Sequence, residues 1–217
     1  MFIVFCQKLF YISDDMEPPM PPLAEQILEY VAGRPEGTPI RAKGLLHLGS
    51  RAAVDQALSR LHRAGALLRI GRGVYVRPIE GRFGKRAPAP AKVVEGLSRS
   101  TGETIAPHGA SAANGLGLST QVPVRPIYLT SGRSRRLRLG KQSIELRHAP
   151  AWQLVLAGRP AGDVIRAAAW IGPKAASRTL NEVSRKLPPA ELKALEAVRE
   201  QLPDWLAREV SVVAAHA

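Results

Sequence analysis

The sequence predicts an α+β protein: an N-terminal winged helix-turn-helix followed by an α+β domain whose C-terminal part is helical. Three observations carry that expectation. Residues 23–64 place apolar side chains at helical spacing, with glycine and proline stops between the runs. Two short β-prone runs then flank Gly71-Arg72-Gly73. Beyond residue 100, short β-prone runs surround a small-residue helical stretch, and after Ala151 helical spacing takes over.

Taken in order, Leu23 to Val31 reads as the first helix, with Leu23, Ile27, Leu28 and Val31 on one stripe and Gly33 and Pro35 as its stop. Thr38 is expected to cap, and Pro39 to open, a short second helix carrying Leu45, Leu46 and Leu48 and ending at Gly49. Ser50 then caps a third helix that runs to about Ala64, with Gly65 behind it. Val54, Ala57, Leu58 and Leu61 share its core face; Ala52, Gln56, Ser59 and Arg63 lie opposite, flanked by Asp55 and Arg60. Arg51 in the first turn opposes the helix dipole, a placement that becomes useful when a phosphate or base arrives. Leu67 to Ile70 and Val74 to Arg77 form a hairpin with Arg72 at its tip.

The expected division is a flexible or misassigned segment over 1–22, the winged helix-turn-helix over 23–80, a basic linker over 81–90 and the α+β domain over 91–217. The linker is read from Gly81, Gly84, Pro88 and Pro90 with Arg82, Lys85 and Arg86 among them. The second domain is expected to hold a helix over 91–99, a strand over 103–107, a helix over 109–116 and strands over 124–130, 137–139 and 143–147. Helices follow from Ala151, over 163–171, 175–187 and 189–202, and a tail from Trp205. Residues 1–12 interrupt their apolar run with Lys8 and are followed by Asp14, Asp15 and Glu17, so they do not read as a secretory signal. With Met16 and Met20 as alternative starts, an over-extended reading frame or a loosely held arm is expected there, and a cytoplasmic protein.

Charge narrows the partner. Of 217 residues, 31 are Lys or Arg and 18 are Asp or Glu, a formal net charge of +13. The excess is +10 within residues 34–100 and +5 within 101–150, while residues 1–33 carry −4. High-GC codon usage also enriches arginine but does not explain the clustering. Such clustering asks for an anion, nucleic acid or an anionic membrane. The basic residues line no Lys-rich amphipathic helix with bulky apolar residues opposite, and no transmembrane run occurs, so a membrane role is set aside. One cysteine, Cys6, excludes a disulfide framework and a cysteine zinc site.

Chemistry-bearing patterns are sparse. None of His47, His62, His108, His148 and His216 falls in a metal-binding spacing, and no phosphate-binding loop or dinucleotide fingerprint occurs. A nuclease acting through Glu103, Glu145 and His148 is a competitor, but two carboxylates are fewer than metal-dependent cleavage normally gathers. The chain is therefore read as non-enzymatic, with no catalytic residue, metal or cofactor.

A winged helix-turn-helix places its second motif helix in the major groove. The DNA-binding set expected here is Arg41, Lys43, Ser50, Arg51, Gln56, Ser59, Arg60, Arg63, Arg69, Arg72 and Arg77. Gln56 would pair with adenine and Arg51 or Arg60 with guanine, while Arg72 reaches phosphates or the minor groove. Arg133, Arg135, Arg136 and Arg138 form a second basic focus, either a further backbone contact or part of another surface.

The run from Leu58 to Tyr75 resembles the winged helix of AbiEi-type antitoxins of abortive-infection, type IV toxin–antitoxin systems. The stretches Gly109 to Pro123, Tyr128 to Arg133 and Arg147 to Pro150 look like a branch of that family known by a domain of unknown function. The resemblance covers roughly residues 23–200. It implies an N-terminal domain that binds promoter repeats and represses its own operon, and a C-terminal domain that serves antitoxicity and supports operator binding. It implies as functional partner a nucleotidyltransferase-like toxin, without a stable complex. The expected function is thus a DNA-binding antitoxin and autorepressor acting on double-stranded DNA of its own promoter. The alternative is a winged-helix transcriptional regulator unrelated to a toxin, with a ligand-sensing or dimerising C-terminal domain.

Overall fold

A computed structural model describes residues 22–215, apart from Phe83 and residues 121–124. The expectations for residues 1–21, and the part of the family resemblance at Gln121 to Pro123, lie outside the described residues. The fold is α+β, as expected.

The segment expected as a winged helix-turn-helix opens with α1 (Leu23–Ala32), which buries Ile27 and Val31. Leu28, expected on the same stripe, is exposed, because a nine-residue run at 100° per residue turns it off the contact line. No helix starts at Thr38: its hydroxyl donates back to the Pro35 carbonyl. Instead Ile40 forms a bridge with Tyr75, exchanging both backbone hydrogen bonds at 2.7 and 2.9 Å. The expected second helix shrinks to a 3₁₀ turn over Ala42–Leu45, which buries Leu45 and leaves Leu46 exposed. An isolated stretch this short, with Gly44 inside it, cannot nucleate a full α-helix. α2 (Arg51–Arg63) is capped as expected: the Ser50 Oγ accepts from the Ala53 amide, and Val54, Ala57, Leu58 and Leu61 are buried. The hairpin expected as the wing is β1 (Leu68–Gly71) paired antiparallel with β2 (Val74–Val76).

Residues 81–90, expected as a linker, include the second half of a hairpin, β3 (Ile79–Gly81) against β4 (Gly84–Arg86). Gly81 pairs with Gly84 at the end of this hairpin, and the segment's last proline opens α3 (Pro90–Thr101). Next come β5 (Ile105–Pro107), α4 (Gly109–Gly115), β6 (Ile127–Thr130), β7 (Arg135–Leu139) and β8 (Gln142–His148). These strands form one sheet in the order β5-β6-β8-β7, with β6 and β8 parallel and the other pairs antiparallel. A helical layer follows: α5 (Ala151–Leu154), α6 (Pro160–Ile171), α7 (Pro173–Ser184), α8 (Pro189–Ala197), a 3₁₀ turn over Arg199–Gln201, and α9 (Asp204–Ala215). The expected tail from Trp205 is thus a helix, whose Leu206, Val210 and Val213 fill the core at helical spacing. Among the described residues, no helix is long and apolar enough to cross a membrane.

The wing is a wall shared by two cores. Tyr75 and Leu67 pack with α1 and α2. Ile70 and Val76 face the other way, into a core with Val93, Val94 and Leu97 of α3 and Leu137, Leu139, Ile144 and Leu146 of the sheet. Tyr75 and Val76 are adjacent, and strand alternation sends their side chains to opposite faces. Burying Ile70 and Val76 stabilises this junction by about 1.5–3 kcal/mol each. The loop after α1 adds two contacts. Glu36 Oε1 accepts from the Ala89 amide at the start of α3, at 2.9 Å. The Gly37 carbonyl lies only 2.7 Å from where a Cβ on Gly96 would sit, so a side chain there has no room.

Candidate nucleic-acid interface

The position of α2 follows from its cap and stripe. Four buried side chains pin one half to the core, which leaves Arg51, Ala52, Asp55, Gln56, Arg60, His62 and Arg63 exposed and Ser59 half-buried. Ser50 is spent on the cap. Arg51 Nε donates to Asp55 Oδ2 at 2.7 Å. His62 Nδ1 lies 3.1 Å from the Leu67 carbonyl, so that this nitrogen carries the proton and ties the helix end to the wing.

Strand β1 lies alongside β7, and this contact assembles the site. On β7, Leu137 and Leu139 point into the core, so Arg136 and Arg138 point to solvent beside the wing. One groove, about 720 Å³, is lined by His62, Arg69, Arg72, Arg136 and Arg138. A second, about 550 Å³, gathers Arg41, Lys43, Arg51, Arg72, Arg135 and Arg136. A third, about 700 Å³, continues past the β7–β8 turn with Arg125, Arg136, Arg138 and Lys141. Arg136 borders all three, so the basic surface is continuous from the 3₁₀ turn through the wing to the far end of the sheet.

The structure thus brings together Arg41, Lys43, Arg51, Arg69, Arg72, Arg135, Arg136 and Arg138 of the expected residues. Gln56, Ser59, Arg60 and Arg63 lie on the outer side of α2 and line none of these three grooves, nor does half-buried Arg77 at the far end of the wing. Arg133 is exposed in the turn before β7, and its carbonyl accepts from Arg135 Nη1. Arg125 and Lys141 were not among the residues singled out by sequence. Only their place beside the β7–β8 hairpin makes them part of the surface.

Two acids sit under this surface. Glu103 Oε2 accepts from Arg135 Nη2 at 2.7 Å and from the Thr130 hydroxyl at 2.9 Å. Burial pushes its carboxyl up, but the Arg135 and Thr130 hydrogen bonds and the charges of Arg135 and Arg41 outweigh that and hold it below the usual carboxylate value. Glu145 is lowered chiefly by its hydrogen bond from Arg147, against a smaller opposing effect of burial, with Arg136 and Arg125 adding to the shift. Both nuclease candidates are therefore committed to arginines. His148 Nδ1 lies 2.9 Å from the Gly132 carbonyl, another structural engagement. Among the described residues, no cluster of three or more His, Cys, Asp or Glu has the arrangement to hold a metal ion.

Comparison with known proteins gives one family. A model described as a family of unknown function, DUF6088, matches residues 26–189. The crystal structure of the RV2827C protein from Mycobacterium tuberculosis is similar at 18% identity and a TM-score of 0.47, over 90% of this chain and 77% of that one. No curated protein matches.

Proposed function

The chain belongs to the DUF6088 family of unknown function, and from that premise we propose that it is a sequence-specific double-stranded-DNA-binding protein, an antitoxin that represses its own operon. The observation that carries the DNA-binding part is the continuous basic surface joining the 3₁₀ turn, the start of α2, the wing and β7. A duplex whose major groove receives the N-terminal end of α2 brings its backbone past Arg69 and Arg72 on the wing. Arg136 and Arg138 stand next along the same face, spaced two residues apart on a strand, about 7 Å, close to the phosphate spacing along one DNA strand. Arginine suits this work, because its planar fork pairs with phosphate bidentately.

The antitoxin part rests on the resemblance to AbiEi-type antitoxins. In this reading the functional partner is a nucleotidyltransferase-like toxin, met without a stable complex, and the protein works in the cytoplasm. The near-neutral helical layer α6–α9 stands apart from the basic surface and is the part left for antitoxicity.

The test has two arms in cells. A reporter driven by the chain's own upstream region is expected to be repressed by the wild type and released by Arg72→Ala. The neighbouring gene expressed alone is expected to arrest growth, and co-expression of this chain is expected to restore it. Repression without any toxic neighbour would leave a plain winged-helix regulator and remove the antitoxin reading.

A further inference from the structure

We propose that Arg51 and Asp55 act as one guanine-reading unit, in which Asp55 is the positioning residue that holds the Arg51 guanidinium for bidentate contact with a base. The inference rests on the DNA-binding reading and adds to it a base and a partner side chain.

Between Gly37 and Ile79 the sequence has eight Lys or Arg and a single acid, Asp55. A face meant only for phosphate gains nothing from an acid there, since it cancels a cation and repels the backbone. Nor does the acid serve the fold. Asp55 and Arg51 are both well exposed, and exposed ion pairs of this kind contribute little to stability. The order is also the weaker one for a helix, with the cation N-terminal to the acid. The pair instead sits where the second helix of the motif meets base edges, in its first two turns.

Its geometry suits reading. The Ser50 cap fixes the first turn and therefore the Arg51 backbone. Arg51 Nε donates to Asp55 Oδ2 at 2.7 Å, a charge-assisted distance. That bond uses one of five guanidinium donors and leaves the four on Nη1 and Nη2, the edge that matches guanine O6 and N7. A long side chain held before binding loses less freedom on binding. Arg41, Lys43, Arg72 and Arg136 share the groove with Arg51 and supply phosphate contacts around it.

The experiment is selection from a randomised duplex library with the full chain, followed by binding to the selected duplex and its single-position variants. The wild type is expected to prefer guanine at one position by about tenfold or more. Arg51→Lys keeps the charge but not the fork, and is expected to lose that preference. Asp55→Asn is expected to lose the same preference while binding random DNA more tightly, since a negative charge has left the face. If Asp55→Asn tightens every duplex by one factor and keeps the guanine preference, the pairing proposal is overturned while DNA binding stands. The same holds if a selected sequence is unmoved by Arg51→Lys. A wild type that selects no sequence overturns both this inference and the sequence-specific reading.

Discussion

Replacing Arg136 and Arg138 together by alanine separates a winged helix acting alone from one that shares its duplex with the sheet. Both side chains are exposed on β7, opposite buried Leu137 and Leu139, so the core should be untouched. Among the described residues, six Lys or Arg lining the two grooves beside the wing have no carboxylate partner at salt-bridge distance: Arg41, Lys43, Arg69, Arg72, Arg136 and Arg138. Arg51 and Arg135 are engaged by Asp55 and Glu103. If each of the six neutralises one phosphate, the log–log dependence of affinity on salt has a slope of about −5.4, and without two of them about −3.6. Between 50 and 200 mM salt the wild type should then lose roughly 1,800-fold in affinity, and the double variant roughly 150-fold. Fluorescence anisotropy on a labelled upstream duplex at four or five salt concentrations measures both slopes. Arg178→Ala with Arg185→Ala, exposed on and just beyond α7, removes the same charge away from the grooves and should leave the slope unchanged. A double variant on β7 with the wild-type slope would refute the idea that the duplex crosses the sheet.

Three further outcomes follow from the packing. Gly96→Ala should lower the melting temperature, because the new Cβ meets the Gly37 carbonyl at 2.7 Å. Helix propensity alone would raise it, so the sign of the change decides. Arg166→Met should cost about 3 kcal/mol in urea unfolding. Its fully buried guanidinium bonds Asp163 and the Gln153 and Val155 carbonyls, and the substitution leaves these unpartnered. Glu103→Gln should destabilise at neutral pH. Because the folded-state carboxyl is held below its ordinary value, Glu103 stabilises above that ordinary value and ceases to do so as pH falls through the lowered one. The melting-temperature gap between wild type and variant should therefore close in acid.

What was legible in the sequence was local. Ser50 as a cap, the Val54, Ala57, Leu58 and Leu61 stripe, and the wing around Arg72 each depend on a few neighbouring residues, and each stands where expected. Thr38 and Pro39 misled because a capping pattern is also a turn pattern, and the long-range bridge from Ile40 to Tyr75 decided between them. The strand expected over 137–139 begins at Arg135, and basic and apolar residues alternate along it. Nothing in that alternation named the wing as its neighbour, since Ile70 and Leu137 are far apart in sequence and meet only in the shared core. For the same reason Glu103, first considered as a catalytic carboxylate, could not be recognised as the partner of Arg135. Arg166 gave no signal at all: an arginine inside an alanine-rich helix reads as a surface residue until the helix is surrounded.

The most direct test of the central claim is competition binding between the chain's own upstream duplex and random duplex of equal length at physiological salt. The account predicts a preference of about 10³ or more for the upstream duplex. Equal affinity for the two, or no binding to either, would contradict it.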